Sequence, residues 1–232
     1  MPSHPDRGSA LRCHGWADSL PVLVDTPAEV IVAALSDFVR DAGPAQVRAW
    51  RESVSVLKDQ GGVALRIHPP ARDHHAVLEY QLPREGGRRP DVVVLQNGTV
   101  VVLEFKSSGG PKRAAVDQVA AYARDLESYH SACHELRVVP ILVLPEHPRR
   151  RFEIDGVRIL GTDRLGECLV ELAREGSGEP VDLRGFLEGE YAPLPSLVAA
   201  ARLLFENLEL PFIRRARSAG VPQTVEHVLG LA

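Results

Sequence analysis

The sequence contains little cysteine and no long apolar run. Cys13, Cys133 and Cys168 lie far apart and in no CxxC spacing, so they predict neither a disulfide framework nor a zinc site. No apolar stretch approaches the length that crosses a bilayer, and the N-terminus lacks the basic-then-apolar layout of a signal peptide. We therefore expect a cytoplasmic protein with no membrane segment.

Lysine is also scarce, and positive charge has no overall excess. The net charge of −4 gives no global attraction to nucleic acid, so any such binding requires local basic patches. Lysine occurs only at Lys58, Lys106 and Lys112 among 27 basic residues. Lys106 stands beside Glu104, which suggests that a compact ammonium is needed there rather than a planar guanidinium.

Length and composition are those of an ordinary globular protein. The chain has 232 residues, of which 44% are hydrophobic and 25% charged, enough for one substantial core. We expect residues 1–25 to be a flexible N-terminus and residues 26–175 to form one α/β domain that includes N-terminal helices. Residues 176–232 are expected to be a loop followed by a small helical extension.

The order of patterns predicts a helix, three strands, a helix and a strand. Helical patterns begin near Thr26 and Pro44, and the second is expected to stop at Gly61 and Gly62. The runs AVLEYQL, DVVVLQ and TVVVLEFK then predict three strands, followed by a helix and the strand LRVVPILVLP. Apolar residues on both faces of these strands predict a three-layer α/β/α sandwich around a mixed sheet.

Asn97 and Gly98 predict a tight hairpin between the second and third strands. In a type I′ turn both central residues have positive φ, and each facing pair then sums to the same residue number. Val93 would face Val102, and Asp91 would face Glu104 on the same side of the sheet. Lys106, two residues after Glu104, points to that side as well.

Two opposed carboxylates at one end of a hairpin repel each other. A divalent cation such as Mg²⁺ would relieve the repulsion, because hard cations prefer carboxylate oxygen. The alternative is purely structural, with Lys106 and Arg88 neutralising Asp91 and Glu104 as ion pairs at the end of the sheet. The hairpin alone does not decide between the two.

Pro90-Asp91 followed by Glu104-Phe105-Lys106 resembles the PD-(D/E)xK motif of the restriction-endonuclease-like nuclease superfamily. The later DQVAAYARDL, with Gln118 and Tyr122, resembles the Gln-and-Tyr helix of the subgroup related to Holliday-junction resolvases and RecB-type nucleases. Most of residues 45–217 is similar to the nuclease-like N-terminal region of bacterial Schlafen-related helicases. The chain has no G-x-x-x-x-G-K-[ST] loop, so ATP-driven unwinding is not expected.

This resemblance implies roles for individual residues. Asp91 and Glu104 would hold Mg²⁺ or Mn²⁺ together with the backbone carbonyl of Phe105, and Glu79 would complete the shell or bind a second ion. Lys106 would be the catalytic cation, with Gln118 reaching the site from the following helix. Nucleic acid would be contacted by the residues Arg88, Arg89, Lys112, Arg113 and Tyr122.

The resemblance therefore implies a metal-dependent nuclease with residues 26–175 as its nuclease-like domain, acting on DNA in preference to RNA. A helicase or ATPase partner and a homodimer are both compatible with it. The chain would be either a stand-alone protein or the front part of a longer one. The alternative function is a catalytically silent module that retains the fold and binds nucleic acid or a helicase.

Overall fold

The protein is an α/β protein built on one open, mixed sheet of seven strands. The computed structural model describes residues 13–83, 85–106, 109–145 and 147–192. The strands, in chain order, are β1 Trp16–Ser19, β2 His75–Leu78, β3 Val92–Leu95, β4 Thr99–Phe105, β5 Arg137–Leu144, β6 Arg151–Ile154 and β7 Val157–Gly161. Their order across the sheet is β1-β2-β3-β4-β5-β7-β6.

Strands β1 to β4 form consecutive antiparallel pairs, whereas β4 with β5 and β5 with β7 are parallel. The helices are α1 Leu20–Asp25, α2 Ala28–Phe38, α3 Pro44–Ile67, α4 Arg113–Tyr129, α5 Leu165–Glu175 and α6 Leu183–Leu187. Helix α4 connects β4 to β5, as a parallel pair requires a crossover. None of the helices in the described ranges is long and apolar enough to cross a membrane.

The predicted register of the β3–β4 hairpin is confirmed. Val93 pairs with Val102, and the N–H of Gln96 donates to the carbonyl of Thr99 at 2.9 Å. The predicted type I′ turn is wrong, because Gly98 has φ +60° but Asn97 does not have a positive φ. Gly98 is required on a second ground, since a Cβ there would lie 2.2 Å from the carbonyl oxygen of Ser177.

Helices cover both faces of the sheet, as the apolar strand faces predicted. One buried cluster joins alternate valines of β3 and β4 to Trp50 and Val54 of α3 and to Leu169 of α5. The other cluster joins the remaining valines to Val119 and Leu126 of α4. The strands are therefore apolar on both sides because each side is buried against a helix.

The prediction of a flexible N-terminus is wrong for the residues that the structure describes there. Residues 16–19 form the edge strand β1, which pairs with β2, and Leu23 of α1 is fully buried. A four-residue strand carries almost no signal of its own, because it is stabilised by the neighbouring strand. Residues 1–12 lie outside the described ranges.

The predicted end of α3 at Gly61 and Gly62 is also wrong, since the helix continues to Ile67. Gly61 is buried against α1, where an added Cβ would lie 3.2 Å from Leu20 Cδ1 and 3.1 Å from Val24 Cγ2. The missing side chain lets the two helices approach closely. Here glycine marks a packing contact and not a helix end.

The expected boundary at residue 176 is not observed, because the next segment packs on the main core. Phe186 of α6 is fully buried, and its ring lies 5.1 Å from that of Tyr80. Residues 176–192 therefore belong to the same unit as the sheet. The helices predicted between residues 193 and 232 lie outside the described residues.

The contact between α3 and α5 makes a testable prediction. An alanine Cβ at Gly166 would lie 2.6 Å from the backbone oxygen of Gln60, so we expect Gly166→Ala to lower the free energy of unfolding by about 1–3 kcal/mol. Gly62 has only the flexible end of Arg66 nearby, at 3.6 Å. Gly62→Ala should therefore stabilise by about 0.5–1 kcal/mol. Urea denaturation measures the free energy of unfolding of both variants. Equal changes in the two would contradict the close packing of Gly166 against Gln60.

Candidate active site

The acidic residues of the motif meet in a cleft at one end of the sheet. The cleft has a volume of about 370 Å³ and lies between α3 and the ends of β3 and β4. The sheet side contributes Glu79, Asp91, Glu104, Phe105 and Lys106, and the helix side contributes Gln46, Ala49, Trp50, Glu52, Ser53 and Val56. The structure thus brings together the predicted metal-binding and lysine residues.

Asp91 directly precedes β3, and its side chain is fixed by the neighbouring strand. Its Oδ2 accepts a hydrogen bond from the backbone N–H of Phe105 at 2.7 Å. Burial raises the pKa of Asp91 well above its usual range, and the negative charge of Glu104 raises it further. The hydrogen bond from Phe105 opposes this rise but does not cancel it.

Glu104 lies on β4 and is 3% exposed. Its Oε1 accepts a hydrogen bond from Lys106 Nζ at 2.9 Å, whereas its buried Oε2 has no hydrogen-bond partner among the described residues. Burial raises the pKa of Glu104, and Lys106 offsets part of that rise. One buried carboxylate oxygen is therefore left unsatisfied beside a second acid, an arrangement that costs free energy.

Lys106 is held between the acid and helix α4. Its Nζ also donates to Gln118 Oε1 at 3.4 Å, and Gln118 Nε2 donates to the hydroxyl of Tyr122 at 3.1 Å. Gln118 therefore contacts Lys106 from α4, and its catalytic role stays a prediction. Tyr122 is only 5% exposed, so it presents no ring face on which a base could stack. Tyr122 instead supports Gln118 through its hydroxyl, which accepts from the amide nitrogen, whereas the amide oxygen accepts from Lys106 Nζ.

Glu79 is in the cleft, but its carboxylate is already bonded. Oε1 accepts from Trp50 Nε1 at 2.8 Å, and Oε2 accepts from Arg89 Nε at 2.9 Å. The structure thus pairs Glu79 with a tryptophan and an arginine instead of directing it to Asp91 and Glu104. This arrangement does not favour the predicted role of Glu79 as a metal ligand.

The remaining predicted nucleic-acid contacts are scattered. Arg88 donates to Asp125 at 2.8 Å and to Glu85 at 3.3 Å, and it lies over the ring of Tyr122. Arg113 is exposed and pairs with Asp117 and Asp155, and Lys112 is exposed just before α4. Neither Lys112 nor Arg113 lines the cleft.

The structural alternative for the two acids is met only in part. Lys106 does pair with Glu104, but Arg88 bonds Asp125 and Glu85, and Arg89 bonds Glu79. No arginine among the described residues contacts Asp91 or Glu104. Among the described residues, Lys106 is therefore the one cationic side chain that bonds either acid, and it bonds Glu104.

The donor set fits a hard cation with few protein ligands. Within the described ranges, no three His, Cys, Asp or Glu side chains come together as a metal site. What remains is the pair of Asp91 and Glu104, including the unpartnered Oε2, with the carbonyl of Phe105 as the third donor implied by the resemblance. Mg²⁺ suits such a site, because it keeps several waters and is often held by one or two carboxylates plus substrate phosphate.

Sequence reasoning missed the contribution of α3. Gln46, Ala49 and Ser53 line the cleft on the same side as Trp50. Their spacing of three and four residues places them on one helix face. The only sequence pattern that could have indicated this wall is the weakly polar helix face beside the tryptophan. That pattern does not show that the face lies at the end of the sheet.

Three comparisons with known proteins returned nothing. No family model, no curated protein and no solved structure matches this chain. The interpretation of the site consequently depends on its residues and their geometry.

The raised pKa values predict how stability depends on pH without metal. A folded-state pKa above the unfolded one means that the folded protein holds more protons, so stability falls as pH rises from about 4 through the raised values. We expect Asp91→Asn to reduce this loss of stability at high pH, because the amide does not ionise. The fold should be retained, since the amide oxygen can still accept from the N–H of Phe105. At pH 7 in EDTA the variant should be more stable by on the order of 1 kcal/mol, about 2–4 °C in Tm.

Thermal denaturation in EDTA between pH 4.5 and pH 8 measures this difference. Glu127→Gln is the control, because Glu127 is an exposed acid on α4. Saturating Mg²⁺ should reduce the difference in Tm between Asp91→Asn and wild type, because it stabilises the wild type. A difference that is independent of pH, or a variant less stable than wild type at pH 7, would contradict the account.

Proposed function

We propose that this chain is a metal-dependent nuclease that hydrolyses phosphodiester bonds, with DNA preferred to RNA. The observation that carries the proposal is that Asp91 and Glu104 line one cleft, each one residue beyond the paired Val92 and Leu103. Glu104 Oε2 is buried without a hydrogen-bond partner among the described residues, and Lys106 Nζ bonds the other oxygen of Glu104. Mg²⁺ or Mn²⁺ would be the cofactor.

This pair of acids costs free energy unless it binds a cation. Burial raises the pKa of both carboxyl groups, and the charge of Glu104 raises that of Asp91 further, so a core built only for stability gains nothing from this pair. Lys106 supplies one positive charge for two acids. A divalent cation would balance the remaining charge and satisfy the free oxygen of Glu104.

The chain's own residues suit phosphoryl chemistry. The side chain of Lys106 is 34% exposed, so its ammonium can meet a substrate phosphate while it remains anchored to Glu104. A cation held in place at this point would stabilise negative charge that develops on the phosphoryl oxygens. Gln118 accepts from the ammonium on the side of α4, and the hydroxyl of Tyr122 in turn accepts from Gln118. When bound, the metal ion would lower the pKa of the attacking water and polarise the phosphate.

The fold is consistent with this proposal. Helix α3, strands β2, β3 and β4, helix α4 and strand β5 follow one another in the order expected of a restriction-endonuclease-like core. The motif residues stand at the matching ends of β3 and β4, where the cleft opens. We infer that the sheet and these two helices form that core.

The test is cleavage of labelled single-stranded, double-stranded and branched DNA, and of RNA, with Mg²⁺, Mn²⁺ or EDTA. We expect metal-dependent cleavage by wild type. Asp91→Asn, Glu104→Gln and Lys106→Gln should each lower the rate by about 10²–10³. Glu127→Gln and Arg124→Gln, which change exposed charges on α4, should retain it.

Each alternative outcome has a distinct meaning. Cleavage that survives all three changes would come from another site or a contaminant, and the proposal would fail. Wild type that binds oligonucleotides without cutting them in any metal would instead favour the silent binding module.

A further inference from the structure

Glu79 has an unusual backbone conformation next to the site. Its φ is +53°, which is rare for a residue other than glycine, and such strain costs on the order of 1–3 kcal/mol. Its N–H still donates to the carbonyl of Asp91 at 3.0 Å, so the residue extends the β2–β3 ladder by one step. The surrounding contacts must offset the strain.

The consequence of this conformation is the direction of the Glu79 side chain. Val77 packs in the cluster of α4, and Leu78 packs in the cluster of α3 and α5. Strict alternation would return Glu79 to the α4 side, but its carboxylate instead meets Trp50 of α3. The positive φ thus turns the acid toward the helix wall of the cleft.

Arg89 is held by this carboxylate and keeps part of its bonding capacity. Only Nε is used, in the bond to Glu79, and the two terminal nitrogens have no partner among the described residues. The side chain is 24% exposed and lies two residues before Asp91. A guanidinium with two free terminal donors matches the oxygens of a phosphate.

We propose that Glu79 is a positioning residue and not a metal ligand: it anchors Arg89, and Arg89 binds a phosphate of the nucleic-acid backbone beside the cleft. This inference rests on the proposed function for the identity of the ligand. Glu79 already carries one arginine and one indole N–H, so both of its oxygens are satisfied without an ion. The trio of Trp50, Glu79 and Arg89 links α3 to the entry of β3.

The first arm of the test is Mn²⁺ binding, measured from the free ion by electron paramagnetic resonance. Glu79→Gln should leave the Kd for Mn²⁺ within about twofold, whereas Asp91→Asn should raise it at least about tenfold. The glutamine keeps an oxygen that can accept from Trp50, so the fold should be retained. Equal weakening of Mn²⁺ binding by both changes would make Glu79 a ligand and overturn the proposal.

The second arm needs no metal and uses a labelled single-stranded oligonucleotide. In the Asp91→Asn background, which removes one like charge, Glu79→Gln and Arg89→Gln should each raise the Kd about tenfold, and the double change no further. Arg89→Gln should also lower the slope of log Kd against log salt by about 1. Additive losses would show that Glu79 does not act through Arg89, and no loss in Arg89→Gln would exclude the phosphate contact.

Kinetics distinguish this role from a structural one. Glu79→Gln and Arg89→Lys should raise KM for the nucleic acid and leave kcat nearly unchanged. The first change removes the carboxylate that anchors Arg89. The second keeps an ion pair with Glu79 but lacks the two terminal nitrogens that would bind phosphate. A fall in kcat at constant KM would contradict the proposal. If wild type binds no Mn²⁺ and cuts nothing, the nuclease assignment fails, while the oligonucleotide arm still decides the role of Glu79.

Discussion

The register of the β3–β4 hairpin, which brings Asp91 and Glu104 to one end of the sheet and into one cleft, is the constraint on which the site depends. This register is fixed by a turn in which Gly98 lies against the carbonyl of Ser177. Because strand side chains alternate, a slip of one residue would place these acids on opposite faces. The turn at one end of the hairpin therefore determines which side chains meet at the other end.

One helix on each face of the sheet reaches this end, and the two helices hold different side chains of the site. Helix α4 supplies Gln118, which holds the lysine that partners Glu104. Helix α3 supplies Trp50, which holds Glu79 and through it Arg89. Among the described residues, Lys106 is thus the one cation that bonds either central acid, and it bonds Glu104, whereas Arg89 is held by Glu79.

The hairpin and its pairing could be predicted because β-branched runs around Asn-Gly specify a register with few alternatives. The position of Lys106 on the same face as Glu104 followed from the period of two residues, whereas the predicted place of Gln118 came from the resemblance of its helix. The orientation of Glu79 could not be predicted, since it depends on a positive φ that no side-chain pattern encodes. Local patterns failed in the same way at β1 and at Gly61, where a neighbouring strand or helix decides the structure.

The most direct test of the central claim is a crystal structure grown with Mn²⁺, located by its anomalous scattering. We expect one ion within about 2.5 Å of carboxylate oxygens from both Asp91 and Glu104, with Oε2 of Glu104 among its ligands. An ion bound elsewhere would contradict it. So would an unchanged Lys106–Glu104 pair with no ion at saturating Mn²⁺.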